Sequence, residues 1–241
     1  MASLRSSYTD YRDRESASRE VTRSAVDAPL TRDRILATAE EVIRRFGPDK
    51  ATLVDVARAL GVSHAAVYRH VTSKAELRDL VVGRWIEASM PALRVIVDGP
   101  GPAPQRLRRL FDALIAGKRK RAKDDPELFA AYRTLAANAK TVIAVHVDEL
   151  IGLIAQVIRT GIEEGTFRPG DHVAAAKAML FATSRFHHPV HAGEWGEPGI
   201  DQTYNDVWQL LMDGLCTAKS AEPPRKIGPQ SQPWRQSKVR R

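Results

Sequence analysis

Tyr68, Arg69 and His70 stand side by side, preceded by His64, Ala65 and Ala66 and followed by Lys74. These side chains are cationic, hydrogen-bonding or very small. Their chemistry is contact with phosphate oxygens and base edges rather than bond making. The planar guanidinium of Arg69 suits a guanine edge or a phosphate equally. Tyr68 and His70 carry polar tips that reach phosphate from the edge of a helix. Ala65 and Ala66 permit close approach to a groove and can touch a thymine methyl.

The stretch that must position them is Thr52 to His70, TLVDVARALGVSHAAVYRH. Leu53, Val56, Ala57 and Leu60 recur at three- and four-residue spacing, one face of a helix. Gly61 supplies the backbone freedom of a sharp turn, with Val62 as an apolar plug. Ser63 is suited to cap a second helix, its hydroxyl taking an otherwise unpaired N–H of the first turn. That helix turns Val67 and Val71 inward and leaves the polar set outside. The pattern predicts a helix-turn-helix. Thr52, with Asp55 three residues on, forms a capping-box pattern for the supporting helix, and Ser73 with Glu76 does the same for the helix that follows. The start of that last helix, at Ser73 and Lys74, also offers backbone N–H groups to a phosphate.

The flanks carry a family resemblance. The ILATAEEVIRRFG helix, T-x-x-D-V-A at Thr52–Ala57, GVS at Gly61–Ser63, VYRH at Val67–His70 and SKAEL at Ser73–Leu77 occur in that order. Together they make the span 31–87 similar to the N-terminal domain of the tetracycline-repressor (TetR) family of bacterial regulators. The family pattern often has Phe where this chain has Val71, and Lys, Arg or Thr where it has His64. The resemblance implies phosphate contacts from Thr52, Tyr68, His70 and Lys74. With Ser63, His64, Ala65, Ala66 and Arg69, read from their chemistry and place on the second helix, these make the candidate DNA-binding set. The resemblance also implies a C-terminal helical domain that binds a small effector and pairs two subunits.

Composition limits the alternatives. The single cysteine excludes an internal disulfide framework. No glycine-rich nucleotide loop, Gly-x-Ser-x-Gly elbow or other catalytic constellation is present, so no enzyme activity and no cofactor are expected. No run of about 18 apolar residues is evident, so no membrane span is expected and the location is read as cytoplasmic. The net charge is +8, unevenly spread: residues 98–124 carry eight Lys/Arg against three acids, and residues 125–217 carry six against 12. A polyanion is therefore steered toward the N-terminal half.

Along the chain, residues 1–28 read as a disordered arm and 29–97 as the helix-turn-helix domain with its connecting helix, interrupted or kinked at Pro91. The Pro/Gly stretch DGPGPAP marks the boundary, and 98–217 read as a helical effector and dimerisation domain. Residues 218–241 are a basic tail, with seven Lys/Arg against one acid. The fold expected is all-α, with about nine helices. Phe111, Phe129, Tyr132, Met179, Phe181 and Phe186 are the candidate lining of an effector cavity. Ala175, Met179, Tyr204, Val207, Trp208, Leu211 and Leu215, on the last two long helices, are the candidate dimer interface, because small residues facing large ones allow close helix packing. The run KRKRAK is read as a solvated helix end.

Two further readings stay open. His187, His188 and His191 invite a metal-responsive regulator, although Pro189 disturbs their helical alignment and no metal site is assigned. The basic tail invites a non-specific architectural DNA binder. The main expectation is a dimeric regulator, a repressor by resemblance, that reads a palindromic operator in double-stranded DNA and is released by a small effector.

Overall fold

The computed structural model describes residues 29–217. The expectations for the arm 1–28 and the tail 218–241 fall outside the described residues. These fold into α1 (Arg32–Phe46), α2 (Leu53–Leu60), α3 (His64–Tyr68), α4 (Lys74–Glu87), α5 (Met90–Asp98), α6 (Ala103–Asp124), α7 (Pro126–Asn138), α8 (Lys140–Glu163), α9 (His172–Ala182), α10 (Ser184–His187), a 3-10 turn (Pro189–Glu194) and α11 (Ile200–Leu215). Among the described residues the only strand-like pairing is one bridge between Phe167 and Cys216.

Two expected helices are each divided. The connecting helix, expected to be interrupted or kinked at Pro91, breaks after Glu87, where the Ser89 hydroxyl donates to the Ile86 carbonyl and Pro91 lies in the first turn of α5. Proline has no N–H for the helix behind it but fits a first turn. The first of the last two long helices breaks at Thr183, whose hydroxyl donates to the Met179 carbonyl at 2.8 Å. Competition of this kind between side chain and backbone is what makes Ser and Thr poor in helix interiors.

The apolar residues form two bodies. The first gathers Ile35, Val56, Val67, Val71 and Val82 with Leu128, Tyr132 and Leu135 of α7. The second gathers Leu107, Phe111, Ile154, Ile158 and Phe186 with Met90, Leu93 and Val97 of α5. Packing therefore crosses the boundary expected at residue 98 in both directions. α5 belongs to the C-terminal body, and α7 closes the N-terminal one. Arg44 of α1 reinforces that closure by donating to Asp125, the N-cap of α7, at 2.7 Å.

α8 corrects one expectation. It is 24 residues long, and its best window has a mean hydropathy of 1.7, enough by length and composition to cross a membrane. Asp148 and Glu149 interrupt the run without outweighing its isoleucines. In this fold Leu150, Ile151, Ile154 and Ile158 are buried in the C-terminal core, the use an apolar helix finds in a globular interior.

Candidate nucleic-acid interface

Local capping sets the reading segment. Thr52 Oγ1 accepts the Asp55 N–H, and the Asp55 carboxylate returns to the Thr52 N–H, both at 3.2 Å. The Thr52 hydroxyl also donates to Asp55 at 2.5 Å, which holds that carboxyl below its ordinary range. Gly61 ends α2 in the left-handed region, at φ 67°, where a side chain would be strained. Ser63 then caps α3 by accepting the Ala66 N–H. A cap of this kind contributes about 1 kcal/mol.

α3 is short and two-sided. Val67 and the following Val71 are fully buried, whereas Ser63, His64, Ala65 and Arg69 are exposed and Tyr68 is 46% exposed. Ala66 and His70 are half-buried at the rim. Arg32 of α1 braces the end of this segment, donating to the His70 carbonyl and to Glu76. Ser73 caps α4 as expected, but the reciprocal half of the box moves one residue back. Glu76 accepts the Thr72 N–H and hydroxyl at 2.7 and 2.6 Å, so its carboxyl is also held low. Lys74 is exposed at that helix start and donates to the Asp49 carbonyl at 2.5 Å. The nine sequence-predicted contact residues are thus all exposed or half-buried, and none is buried.

In the C-terminal half the predicted lining residues do not enclose one cavity. Phe129 and Tyr132 join Trp85 of α4 and Trp195; the Tyr132 ring stacks on Trp85 at 4.7 Å. Phe111 and Phe186 instead pack against Trp208 and Tyr204. Phe181 is 61% exposed and lines no cavity in the subunit, which corrects its assignment. The void beside Phe111 and Leu114 holds only about 10 Å³. A solvent-open cleft of about 330 Å³ lies between α6 and α11, lined by Arg108, Asp112, Arg119, Asp201 and Tyr204.

The expected dimer residues need a similar correction. Met179, Tyr204 and Trp208 are only 3%, 6% and 7% exposed, packed into their own subunit. Ala175, Val207, Leu211 and Leu215 are half-buried. The apolar side chains left outside on the same two helices are Val173, Ala174, Ala178, Phe181, Ala182 and Leu210.

The metal alternative is not supported. His187 Nε2 lies 3.2 Å from the Leu180 carbonyl and 3.3 Å from Thr183 Oγ1, inside the core, while His191 pairs outside with Glu194 at 2.9 Å. Among the described residues no three ligating side chains converge. Reading by residue type missed three other groups. Lys118 and His146 are buried, and Arg121 donates to the Trp85 carbonyl with its guanidinium over the Trp85 ring. Spacing could have found two of them. Lys118 continues the Leu107, Phe111, Leu114 face of α6, and His146 sits one turn before Leu150 on the buried face of α8.

A capped reading segment with a buried back and a hydrogen-bonding front, on an all-helical two-part chain, defines a helix-turn-helix DNA-binding protein. Residues 35–81 match the family described as bacterial regulatory proteins, tetR family, and residues 103–208 match the tetracyclin repressor-like C-terminal domain. The chain belongs to the TetR family and is a transcriptional regulator; the work of that family is regulatory rather than enzymatic. Over 191 residues it is 24% identical to the nucleoid occlusion factor SlmA of Colwellia psychrerythraea, covering 76% of this chain and 93% of that one. It is 28% identical over 163 residues to the transcriptional regulator TcmR of Streptomyces glaucescens, covering 64% and 72%. Its fold is similar to that of SmeT, the repressor of a Stenotrophomonas maltophilia multidrug efflux pump, with a TM-score of 0.59 at 20% identity over 86% of this chain and all of that one.

Proposed function

We propose that this chain is a homodimeric, cytoplasmic repressor. It reads a palindromic operator with α3 of each subunit and leaves it when a small molecule is bound in the C-terminal half. The observation that carries the reading is the two-sidedness of α3: Val67 and Val71 are sealed while Tyr68, Arg69 and His64 face outward. A single helix of five residues makes too few contacts for specific binding. Two copies about 34–36 Å apart would read successive grooves, and a ligand preferring a different spacing would shift the population off the operator.

Thr52, Ser63, Tyr68, His70 and Lys74 are assigned to phosphate, and His64, Ala65, Ala66 and Arg69 to base edges. With genomic fragments selected for binding as probe, Tyr68→Ala should weaken operator binding by about tenfold or more, as expected for a lost contact of 1–2 kcal/mol, and leave the fold unchanged. Unaltered operator affinity in that variant would remove the assignment of α3.

The proposed pairing surface is the outward face of α9 and α11, with Phe181 and Leu210, 61% and 74% exposed, at its centre, flanked by Ala175, Val207, Leu211 and Leu215. α9 is apolar apart from His172 and Lys177, so burying one face in its own core leaves another needing cover. The double variant Phe181→Asp with Leu210→Asp should sediment as a monomer and bind the operator about 100-fold more weakly. A dimer that persists in that variant would place the interface elsewhere.

A further inference from the structure

The interior between the two halves holds a lysine and a histidine that, among the described residues, face no acidic partner. Lys118 is 8% exposed and, among the described residues, makes no hydrogen bond and no ion pair. His146 is buried with its Nδ1 unpartnered. The charge acting on Lys118 is that of Arg121, those acting on His146 are Lys118, Arg121 and His187, and no carboxylate is among them. Burial, with Arg121 nearby, pushes Lys118 down to about 8, and burial with Lys118 beside it pushes His146 down to about 3. A lysine with so little exposure and no counter-ion is costly to keep charged, and such perturbed groups gather at binding sites.

The surroundings say what kind of molecule that is. Arg121, one turn along α6 from Lys118, sits over Trp85. Trp85, Phe129, Tyr132 and Trp195 form a contiguous aromatic nest at the same junction. Cations with an unsatisfied imidazole on one side and flat apolar rings on the other match an organic anion with an aromatic or other apolar body.

We propose that Lys118 and His146 receive the acidic group of the effector, and that the effector is therefore a small apolar anion. This rests on the effector-released reading above and names its ligand class. The position also supplies a route to the DNA. Arg121 ties α6 to the carbonyl of Trp85 on α4, the helix that begins directly after the reading segment. An anion arriving beside Lys118 competes with that carbonyl for Arg121 and loosens α4 from the C-terminal body.

The test uses two dyes of one skeleton, anionic 8-anilinonaphthalene-1-sulfonate and uncharged N-phenyl-1-naphthylamine, titrated into the full-length protein. Energy transfer from tryptophan reports binding near the nest. The wild type should prefer the sulfonate by about tenfold or more, and Lys118→Met should abolish that preference while still binding the neutral dye. Lys118→Met should also melt no lower than wild type, because it removes an unpaired buried charge. If it fails to fold, His146→Phe decides, with an expected loss of about threefold in the preference. Equal affinity for the two dyes in wild type, or a preference that survives in the variant used, overturns the proposal. Operator binding without dye, measured in parallel, separates the two ideas: its absence refutes the repressor reading and leaves the anion preference standing.

Discussion

Gly161→Ala is expected to destabilise the protein by about 2–4 kcal/mol, although alanine is the better helix former by about 1 kcal/mol. Gly161 lies near the end of α8, and a Cβ there would meet Phe167 Cδ2 at 2.1 Å, its Cε2 at 2.5 Å and Ala103 Cβ at 2.9 Å. The ring cannot easily withdraw. Phe167 is fully buried, and its N–H and that of Thr166 both bond the Gly161 carbonyl at 2.9 Å. The next residues continue the clasp. Arg168 N–H bonds the Leu215 carbonyl, and Thr217 N–H bonds the Thr166 carbonyl, anchoring the end of α11. Displacing Phe167 therefore loosens two helix ends at once. Gly152, in the same helix, is the control, because a Cβ there meets nothing within 4 Å. Gly152→Ala should stabilise by about 0.5–1 kcal/mol. Urea unfolding of both variants reads the difference, and a Gly161→Ala protein as stable as wild type would show that the close approach is absent.

The reading segment could be recognised from sequence because its determinants are local. Thr31, Thr52, Ser63 and Ser73 each cap the helix that follows, and Gly47 and Gly61 take the positive φ that their turns require. A cap or a turn depends on residues three or four positions apart, which a single sequence displays. The C-terminal half resisted for the opposite reason. α9 is apolar around most of its circumference, so periodicity cannot tell that Met179 faces in and Phe181 faces out. On α11, Tyr204 and Trp208 look suited to a partner but find Phe186, Phe111 and each other. Leu210, on the other side of that helix, is left in solvent. Only the packing of distant segments decides such choices. Lys118 and His146 were hidden by residue type, since lysine in a basic run reads as surface even where its spacing places it inside.

Acid should destabilise this protein well before its carboxylates titrate. Burial holds His146 down to about 3 and His187 down to about 4, both below the ordinary 6.5. Below pH 6.5 the unfolded chain takes up protons at these two positions and the folded chain does not. Stability therefore rises with pH across this window and is lost as pH falls from 6.5 toward 4. The ceiling is about 1.4 kcal/mol per pH unit for each histidine. Glu76 and Glu194, whose carboxyls hydrogen bonds hold low, add their losses below their ordinary 4.5, and Asp55, Asp125 and Asp171 below 3.8, so above about 4.5 the histidines act ahead of these carboxylates. Glu40, raised by burial, works in the opposite sense. Chemical denaturation from pH 7.5 to 4.5 should show the slope, and His146→Phe should remove about a third to a half of it, since His187 and His188, both also held low by burial, share the effect. A slope unchanged in that variant would mean that His146 is already protonated or solvated in the folded protein. The same measurement bears on the anion proposal. A bound sulfonate beside His146 favours the imidazolium, so the dye should flatten the acid limb in wild type and leave it unaltered in Lys118→Met.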